Sequence, residues 1–315
     1  MLAAVGRHAI DTVPISVYTA PLVASGKTLL ATMANLIAHG VEPGVHPYTD
    51  ESEEIRKVLM SALLAGDSTV LFDNVPNGSR VRSPILCAFV TAAVYTDRKL
   101  GVSESPSLPN RCTVVLTGNN ITPAGDLARR CLLVRLDVDA ETARGREFEI
   151  PNLKNYVAAN RSQLLVDALT VILAYTQACD VGAMPKPLES FEAWSRVARN
   201  PLVWLGMGDA VETQQLETED ELEPLREAFE KLTTRPDFAI GEEFSARQLA
   251  KLCESFPGED LRAAIEAAGC SDATNALIVG YWLREHRDRV ASGRKLTAAG
   301  ITGGRVRWKF RICDH

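Results

Sequence analysis

The run Ser25-Gly26-Lys27-Thr28 carries the residue types that hold a phosphate. Residues 14–19 before it are apolar and β-prone, and residues 29–39 after it repeat apolar side chains at helical spacing until Gly40. Strand, tight loop, Gly-Lys-Thr and helix together predict a phosphate-binding loop. Backbone N–H groups of the loop and of the helix N-terminus would converge on the β- and γ-phosphates of ATP. Lys27 would neutralise their charge, and the Thr28 hydroxyl would ligate Mg²⁺. Ala24, Ser25, Gly26, Lys27 and Thr28 are therefore the candidate nucleotide-binding residues. The run departs from the full pattern twice: Pro21 stands where the first glycine falls, and Ala24 where glycine is also common. Both departures would loosen the loop or weaken nucleotide binding.

Further polar positions follow at the ends of predicted strands. Val70-Leu71-Phe72-Asp73 reads as an apolar strand closed by a carboxylate, the Walker B pattern in which Asp73 holds Mg²⁺ through its water shell. Alone, an Asp after an apolar strand is a turn residue; behind a Gly-Lys-Thr it becomes a metal candidate. Thr117-Gly118-Asn119-Asn120 ends the next strand, where the Asn119 amide could orient a water against the γ-phosphate. The plainer alternative is an Asn-rich turn. In Gly125-Asp126-Leu127-Ala128-Arg129-Arg130, Arg129 or Arg130 could reach the γ-phosphate of a neighbouring subunit and stabilise the transition state. The alternative there is a solvated basic pair.

Positioning these groups requires strands that alternate with helices. Strands are expected at 45–48, 69–72, 113–117 and 132–136 besides the first. Helices are expected at 28–39, after an Asp50/Glu53 capping box, and at 85–93 behind Ser83-Pro84. That alternation implies a mainly parallel α/β sheet covered on both faces. Residues 152–178 and 189–197 read as helices. Residues 212–231 read as an acidic, solvated helix or linker. Helices at 245–255, 259–268 and 274–290, then a hairpin turning near Gly303-Gly304, follow the plan of a winged helix-turn-helix. The expected division is 1–150 for an ATPase core, 151–211 for a helical lid region, 212–238 for the acidic linker or helix and 239–315 for a basic winged-helix-like domain.

Hydrophobic content of 46% and charged content of 23% are those of a soluble globular chain. No apolar run is expected to span a membrane, and a cytoplasmic location is expected. The seven cysteines are scattered without a C-x-x-C, which argues against a zinc site or a disulfide framework. Net charge is −6, yet residues 212–243 carry eleven Asp/Glu against three Lys/Arg, and residues 281–315 carry nine Lys/Arg against three Asp/Glu. This asymmetry makes the basic tail, and not the chain as a whole, the candidate for contact with DNA. Trp282 and Trp308 lie among those basic residues and are expected in the core of the small domain.

Tyr95-Thr96-Asp97-Arg98, Leu108-Pro109-Asn110-Arg111, Leu116-Thr117-Gly118-Asn119-Asn120, the run 125–130 and Arg135-Leu136-Asp137 together resemble one family. It is the helicase-like ATPase portion of primase–helicase replication proteins of phages, plasmids and integrated elements. Ser190-Phe191-Glu192-Ala193-Trp194-Ser195-Arg196-Val197, Pro201-Leu202-Val203-Trp204-Leu205-Gly206 and Tyr281-Trp282-Leu283-Arg284-Glu285-His286-Arg287 with Arg305-Val306-Arg307-Trp308 extend the likeness over nearly the whole chain. The resemblance implies an AAA+-type P-loop core close to superfamily 3 helicases, an α-helical lid, a homo-oligomeric ring such as a hexamer, and ATP-driven movement on single-stranded DNA in the ring channel. It implies Lys27 and Thr28 as Walker A, Asp73 as Walker B, Asn119 as sensor 1 and Arg129 or Arg130 as the arginine finger. Asn74 stands where many relatives of the wider class keep a catalytic Glu, and an amide cannot act as a base. Arg98 and Lys99 fall where such ATPases place a loop or hairpin facing the channel. Arg287, Arg305 and Arg307 could contact DNA phosphates from the winged helix. Too few residues precede the first strand for a primase domain, so a separate primase is a partner the resemblance allows.

Two functions compete at this level. One is an ATP-dependent DNA helicase or translocase in replication of a mobile element. The other is a nucleotide-binding switch or structural subunit with little hydrolysis, favoured by Pro21, Ala24 and Asn74. A small-molecule P-loop kinase is disfavoured by the paired arginines and by the lack of an arginine-rich lid between the later strands.

Overall fold

The computed structural model describes residues 1–98, 104–136 and 148–313. Strands β1 (Ile15–Ala20), β2 (Gly44–Pro47) and β3 (Thr69–Val75) precede three short strands, β4 (Arg80–Val81), β5 (Val94–Thr96) and β6 (Ser107–Pro109). Then come β7 (Thr113–Asn119), β8 (Thr122–Pro123) and β9 (Cys131–Arg135). The five long strands form one parallel sheet in the order β2-β3-β7-β1-β9. This is the expected α/β core, a parallel sheet flanked by helices. Its strand sequences are nearly continuous in β-branched and apolar residues because both faces are covered. Ile15, Val17, Val70, Phe72, Val114 and Leu116 enter the main core, while Tyr18, Leu71 and Val115 meet Ala31 of the helix Lys27–His39 on the other face.

Sheet order decides which groups can meet. β7 lies between β1 and β3, so the loop after β1, the end of β3 and the end of β7 open side by side at the carboxyl edge, where open α/β sheets bind ligands. The helix after the loop is finished by Gly40 at φ 77°. A second stop comes from Arg161 of the helix Leu153–Gln177, whose guanidinium donates to the Leu36 and Ala38 carbonyls at 3.2 and 3.0 Å. A cation there also complements the C-terminal end of the helix dipole.

Three expectations need correction in this region. The Asp50/Glu53 capping box does not form: the Tyr48 hydroxyl donates to Asp50 Oδ1 at 3.0 Å, and the helix Ser52–Ala65 starts after Glu51 without a side-chain cap. Burial and the Asp50 carboxylate together push the Tyr48 phenol upward. The helix Leu153–Gln177 is long and apolar enough to cross a membrane, contrary to the reading that no run reached that length. One face, through Val157, packs on Met33 and Ile37, while Val166, Leu169 and Leu173 are exposed. Lastly, the segment expected as one helix at 189–197 is a longer helical run in three pieces, Glu192–Trp194, Ser195–Arg199 in π geometry, and Asn200–Trp204.

That π segment carries Arg199, which is nearly buried and pairs with Asp209, Nε to Oδ1 at 2.8 Å. The Arg199 hydrogen bonds hold Asp209 below the usual carboxylate range. Stability from this pair is therefore present above the unfolded-state value and is lost as pH falls through the depressed folded value. Asp209→Asn leaves a buried guanidinium without its counter-charge, and we expect a cost of about 3–5 kcal/mol. Urea unfolding at pH 7 and again at pH 3 checks this: the variant and the wild type should differ most at the first pH, and the gap should narrow at the second as the pH approaches the depressed value.

The chain divides into two compact units, Met1–Gln215 and Leu216–His315. The second contains most of the helix Glu212–Thr233, the helices Ala246–Glu254, Glu259–Ala267 and Ala276–Glu285, and strands β10 (Val290–Ala291), β11 (Arg294–Thr302) and β12 (Arg305–Ile312). The segment expected as an acidic, solvated helix or linker is a helix, but its later half is not solvated all round: Leu225, Ala228, Phe229 and Leu232 enter the core of this unit, which begins well before residue 239. Trp282 and Trp308 are each 2% exposed, and Trp282 meets Phe229 edge to face with ring centroids 6.4 Å apart. The β11–β12 hairpin turns on Gly303 and Gly304, at φ 59° and 72°. A two-residue hairpin turn with both central residues at positive φ is of the type that matches strand twist, and glycine adopts it without strain.

Candidate nucleotide site

Gly26 opens the helix Lys27–His39 at φ 92°, with no side-chain cap. The first intrahelical bond is Leu30 N–H to the Gly26 carbonyl, so the N–H groups of Lys27, Thr28 and Leu29 have no partner within the helix. They face a cleft of about 520 Å³ lined by the loop, by Asp73 to Asn77 and by Thr117 to Asn119. Lys27 Nζ reaches across it, donating to Asn119 Oδ1 at 2.7 Å, Ser25 Oγ at 2.8 Å and the Leu22 carbonyl at 3.1 Å. Burial lowers the Lys27 pKa, and the nearby Asp73 carboxylate opposes that shift. The ammonium is thus poised beside the amide that sequence reasoning assigned to a water.

Asp73 Oδ1 accepts hydrogen bonds from the Thr28 hydroxyl at 3.0 Å and from the Thr117 hydroxyl. A hydroxyl on a carboxylate is a pair of oxygens that a Mg²⁺ ion would separate and share. Among the described residues no cluster of three His, Cys, Asp or Glu is gathered. A cation at Thr28 and Asp73 would therefore complete its shell with phosphate oxygens and water, as in a nucleotide-borne metal. The donor set fits ATP–Mg²⁺: unpartnered backbone N–H groups, one ammonium, and an oxygen pair beside it. Thr117 was not singled out from the sequence; its signal was a hydroxyl two residues before Asn119 on a strand adjacent to the Asp73 strand.

Backbone geometry aims these groups. β3 and β7 lose register between Phe72 and Val75, where β3 has an extra residue. Asn74 takes that bulge position at φ 58°, a left-handed conformation that Asn tolerates better than most side chains. The bulge turns Asp73 toward Thr28 and leaves Asn74 exposed, its Nδ2 3.5 Å from Asp73 Oδ2. Gly118 is required for close approach: a Cβ there would lie 2.8 Å from the Val75 carbonyl oxygen.

Ala24 sits at φ 59°, which accounts for the expectation that glycine suits this place. An L-residue in that region costs about 1–2 kcal/mol, and the greater chain entropy of glycine returns about 0.5–1 kcal/mol of it. Ala24→Gly should therefore stabilise the first unit by roughly 0.5–1 kcal/mol. A rise in the urea midpoint at constant slope is the expected readout; a fall would mean the loop is unstrained.

The remaining candidates lie elsewhere. Arg129 and Arg130 are in the 3₁₀ turn Gly125–Arg130 and do not line the cleft. Arg129 Nε pairs with Asp126 Oδ1 at 2.6 Å, with its side chain 52% exposed, whereas the Arg130 side chain is only 13% exposed. Arg98 follows β5, which pairs antiparallel with β6 as the stem of the expected hairpin; Lys99 lies outside the described residues. Arg287 pairs with Asp288 at 3.3 Å. Arg307 is tied down, donating to Gln248 Oε1 at 3.0 Å and to the Glu243 carbonyl at 2.7 Å, so it fastens the hairpin. Arg305 is exposed.

No protein-family model matches the chain, and no curated protein matches it. Solved structures do. Two of the NrS-1 C-terminal region in its apo A form align at 14% identity with TM-score 0.42 and at 12% with 0.44. The first covers 99% of this chain and 70% of that one, the second 98% and 68%. JCV helicase with a thiazolopyridine compound bound aligns at 13% identity and TM-score 0.30, over 71% of this chain and 56% of that one.

Proposed function

We propose that the chain is an ATP-hydrolysing, helicase-like motor that acts on DNA during replication of a mobile element and works as a homo-oligomeric ring. One observation carries the reading. The Lys27 ammonium, Thr28 hydroxyl, Asp73 carboxylate and Asn119 amide meet in one cleft, at the carboxyl edge of three adjacent parallel strands. Lys27 and the helix N-terminal N–H groups bind the β- and γ-phosphates. Thr28 and Asp73 hold Mg²⁺, which would polarise the γ-phosphate and neutralise charge developing on its oxygens. Asn119, released from Lys27 when the phosphate takes its place, orients the attacking water. Among the described residues lining the cleft the cation is Lys27 of the loop, which supports an arginine supplied by a second copy. The mobile-element setting and single-stranded DNA in the channel, with Arg98 beside it, follow from the sequence resemblance.

A second reading, a nucleotide-binding switch, is favoured by one feature of the cleft. Asp73 is the carboxylate among its described lining residues, and Asn74 offers no base. Steady-state ATP hydrolysis with and without single-stranded DNA, on a sample whose mass is measured with nucleotide bound, separates the two. Slow hydrolysis that DNA accelerates, from a particle several times the chain's mass, is the expected result. Bound nucleotide without turnover under either condition would replace the motor by the switch.

A further inference from the structure

Arginines of the second unit fall into two groups. Arg226 pairs with Glu223, Arg235 with Asp260, Arg262 with Glu266, Arg287 with Asp288 and Arg294 with Glu230, all within 3.7 Å. Arg247, Arg284, Arg289, Arg305, Arg307 and Arg311 pair with no carboxylate among the described residues. Of these, Arg247, Arg284 and Arg305 stand apart by position, and the Arg284 guanidinium lies 5.2 Å from the centroid of the Tyr281 ring. These three converge on one groove of about 360 Å³ between the start of the helix Ala246–Glu254, the helix Ala276–Glu285 and the turn of the β11–β12 hairpin. Among the described residues no carboxylate lines it, and the small residues Ala246, Ala276 and Gly280 lie along it beside the exposed Leu277. Its walls are held in place: Phe244 and Trp308 exchange backbone hydrogen bonds at 2.8 Å each way, and Arg307 fastens the same junction.

We propose that this groove binds the sugar–phosphate backbone of duplex DNA, with Arg247, Arg284 and Arg305 each neutralising a phosphate. The inference rests on the reading of the chain as one that acts on DNA, and it moves the contact away from Arg287 and Arg307. Unpaired guanidiniums around a carboxylate-free groove recognise an anion of repeating charge. Small residues along the groove let a sugar–phosphate backbone come close to the three guanidiniums. The aromatic lining the groove, Trp308, is 2% exposed and presents no ring for the base stacking that single strands use, whereas Tyr281 beside Arg284 is 58% exposed, so the single strand in the test reports whether that ring stacks bases.

The test measures anisotropy of a fluorescein-labelled 20-base-pair duplex, and of one of its strands, with the full chain across a salt series. A methylanthraniloyl-ATP titration is run on the same samples. Substituting Arg247, Arg284 and Arg305 together by Ala should weaken duplex binding at least about tenfold at low salt. It should also flatten the log–log salt slope by about 0.9 for each phosphate that is no longer neutralised. The triple Lys variant, which keeps the charge, should stay within a few fold of the wild type, and Arg262→Ala should change nothing. Thermal melting of each variant checks that it folds. Duplex binding that survives the triple Ala substitution, or that poly-glutamate displaces as readily as unlabelled duplex, would overturn the proposal. Nucleotide binding intact alongside either result would leave the ATPase reading standing; triad-dependent duplex binding without nucleotide binding would do the reverse.

Discussion

Lys27→Ala lowers the affinity for ATP–Mg²⁺ by about 10²–10⁴-fold. The Lys27 ammonium would make two charge-assisted hydrogen bonds to phosphate oxygens, each worth about 1.5–3 kcal/mol, and 1.4 kcal/mol is a factor of ten. In the free protein its donors go to Asn119 Oδ1, Ser25 Oγ and the Leu22 carbonyl. All three acceptors line or border an open cleft, where water replaces Lys27 at little cost, so the variant should fold with near-native stability. Its loss then falls on nucleotide and not on the fold. Lys27→Arg should bind ATP poorly as well, since a planar fork does not reproduce a compact ammonium between loop and amide. Titration calorimetry with ATP and Mg²⁺ reads both variants beside a urea melt. Equal affinity in the wild type and Lys27→Ala would remove the loop from nucleotide binding altogether.

Lys27, Thr28, Asp73 and Asn119 were legible from sequence because each terminates an element with its own local signature. Their meeting was implied by strand alternation, and the sheet order supplies it. Other features had no such signature. Arg7 is a single basic residue in an ordinary run. Yet it is 3% exposed and holds the carbonyls of Ile10, Asn110 and Cys112, with burial bringing its pKa down to about 10. Nothing local to Arg7 announces partners a hundred residues away. The bulge at Asn74 depends on pairing between β3 and β7, which no single strand encodes. The helix Glu212–Thr233 was misjudged for a different reason. Its acid count suggested a solvated element, but Leu225, Ala228, Phe229 and Leu232 follow helical spacing and form the buried face. Charge on one face of a helix says nothing against burial of the other. In the basic tail, Arg287 and Arg307 share the net charge with Arg284 and Arg305, and only the structure separates those tied to neighbouring groups from those with no carboxylate partner among the described residues.

Arg129→Ala lowers ATP turnover by about 10³–10⁵-fold while leaving nucleotide affinity and stability near those of the wild type; Arg130→Ala instead destabilises the first unit. The two neighbours were equivalent in sequence and are not so in the fold. Arg130 Nη1 donates to the Asp126 carbonyl at 2.8 Å and pairs with the Asp126 carboxylate, and its side chain is mostly enclosed beside Cys87. Withdrawing it to reach another subunit would strip a buried guanidinium of its partners. Arg129 is held by an exposed pair with the same carboxylate, and exposed pairs contribute roughly 0–1 kcal/mol. Releasing it costs little against the roughly 4–7 kcal/mol that three to five decades of rate represent. Hydrogen bonds from Arg130 and Arg129 hold Asp126 below the usual carboxylate range, so the clamp is set at neutral pH and opens only as pH falls through that depressed value. Phosphate release from γ-labelled ATP at high protein concentration reads the effect. The decisive arm mixes Lys27→Ala chains with Arg129→Ala chains. Each lacks a different half of a shared site, so a mixed assembly contains some sites with both halves, and activity should return to a fraction of wild type at equal ratio. Mixtures that assemble yet stay inactive at every ratio, or an Arg129→Ala chain that hydrolyses ATP at the wild-type rate, would end the assignment of Arg129 as the residue supplied in trans.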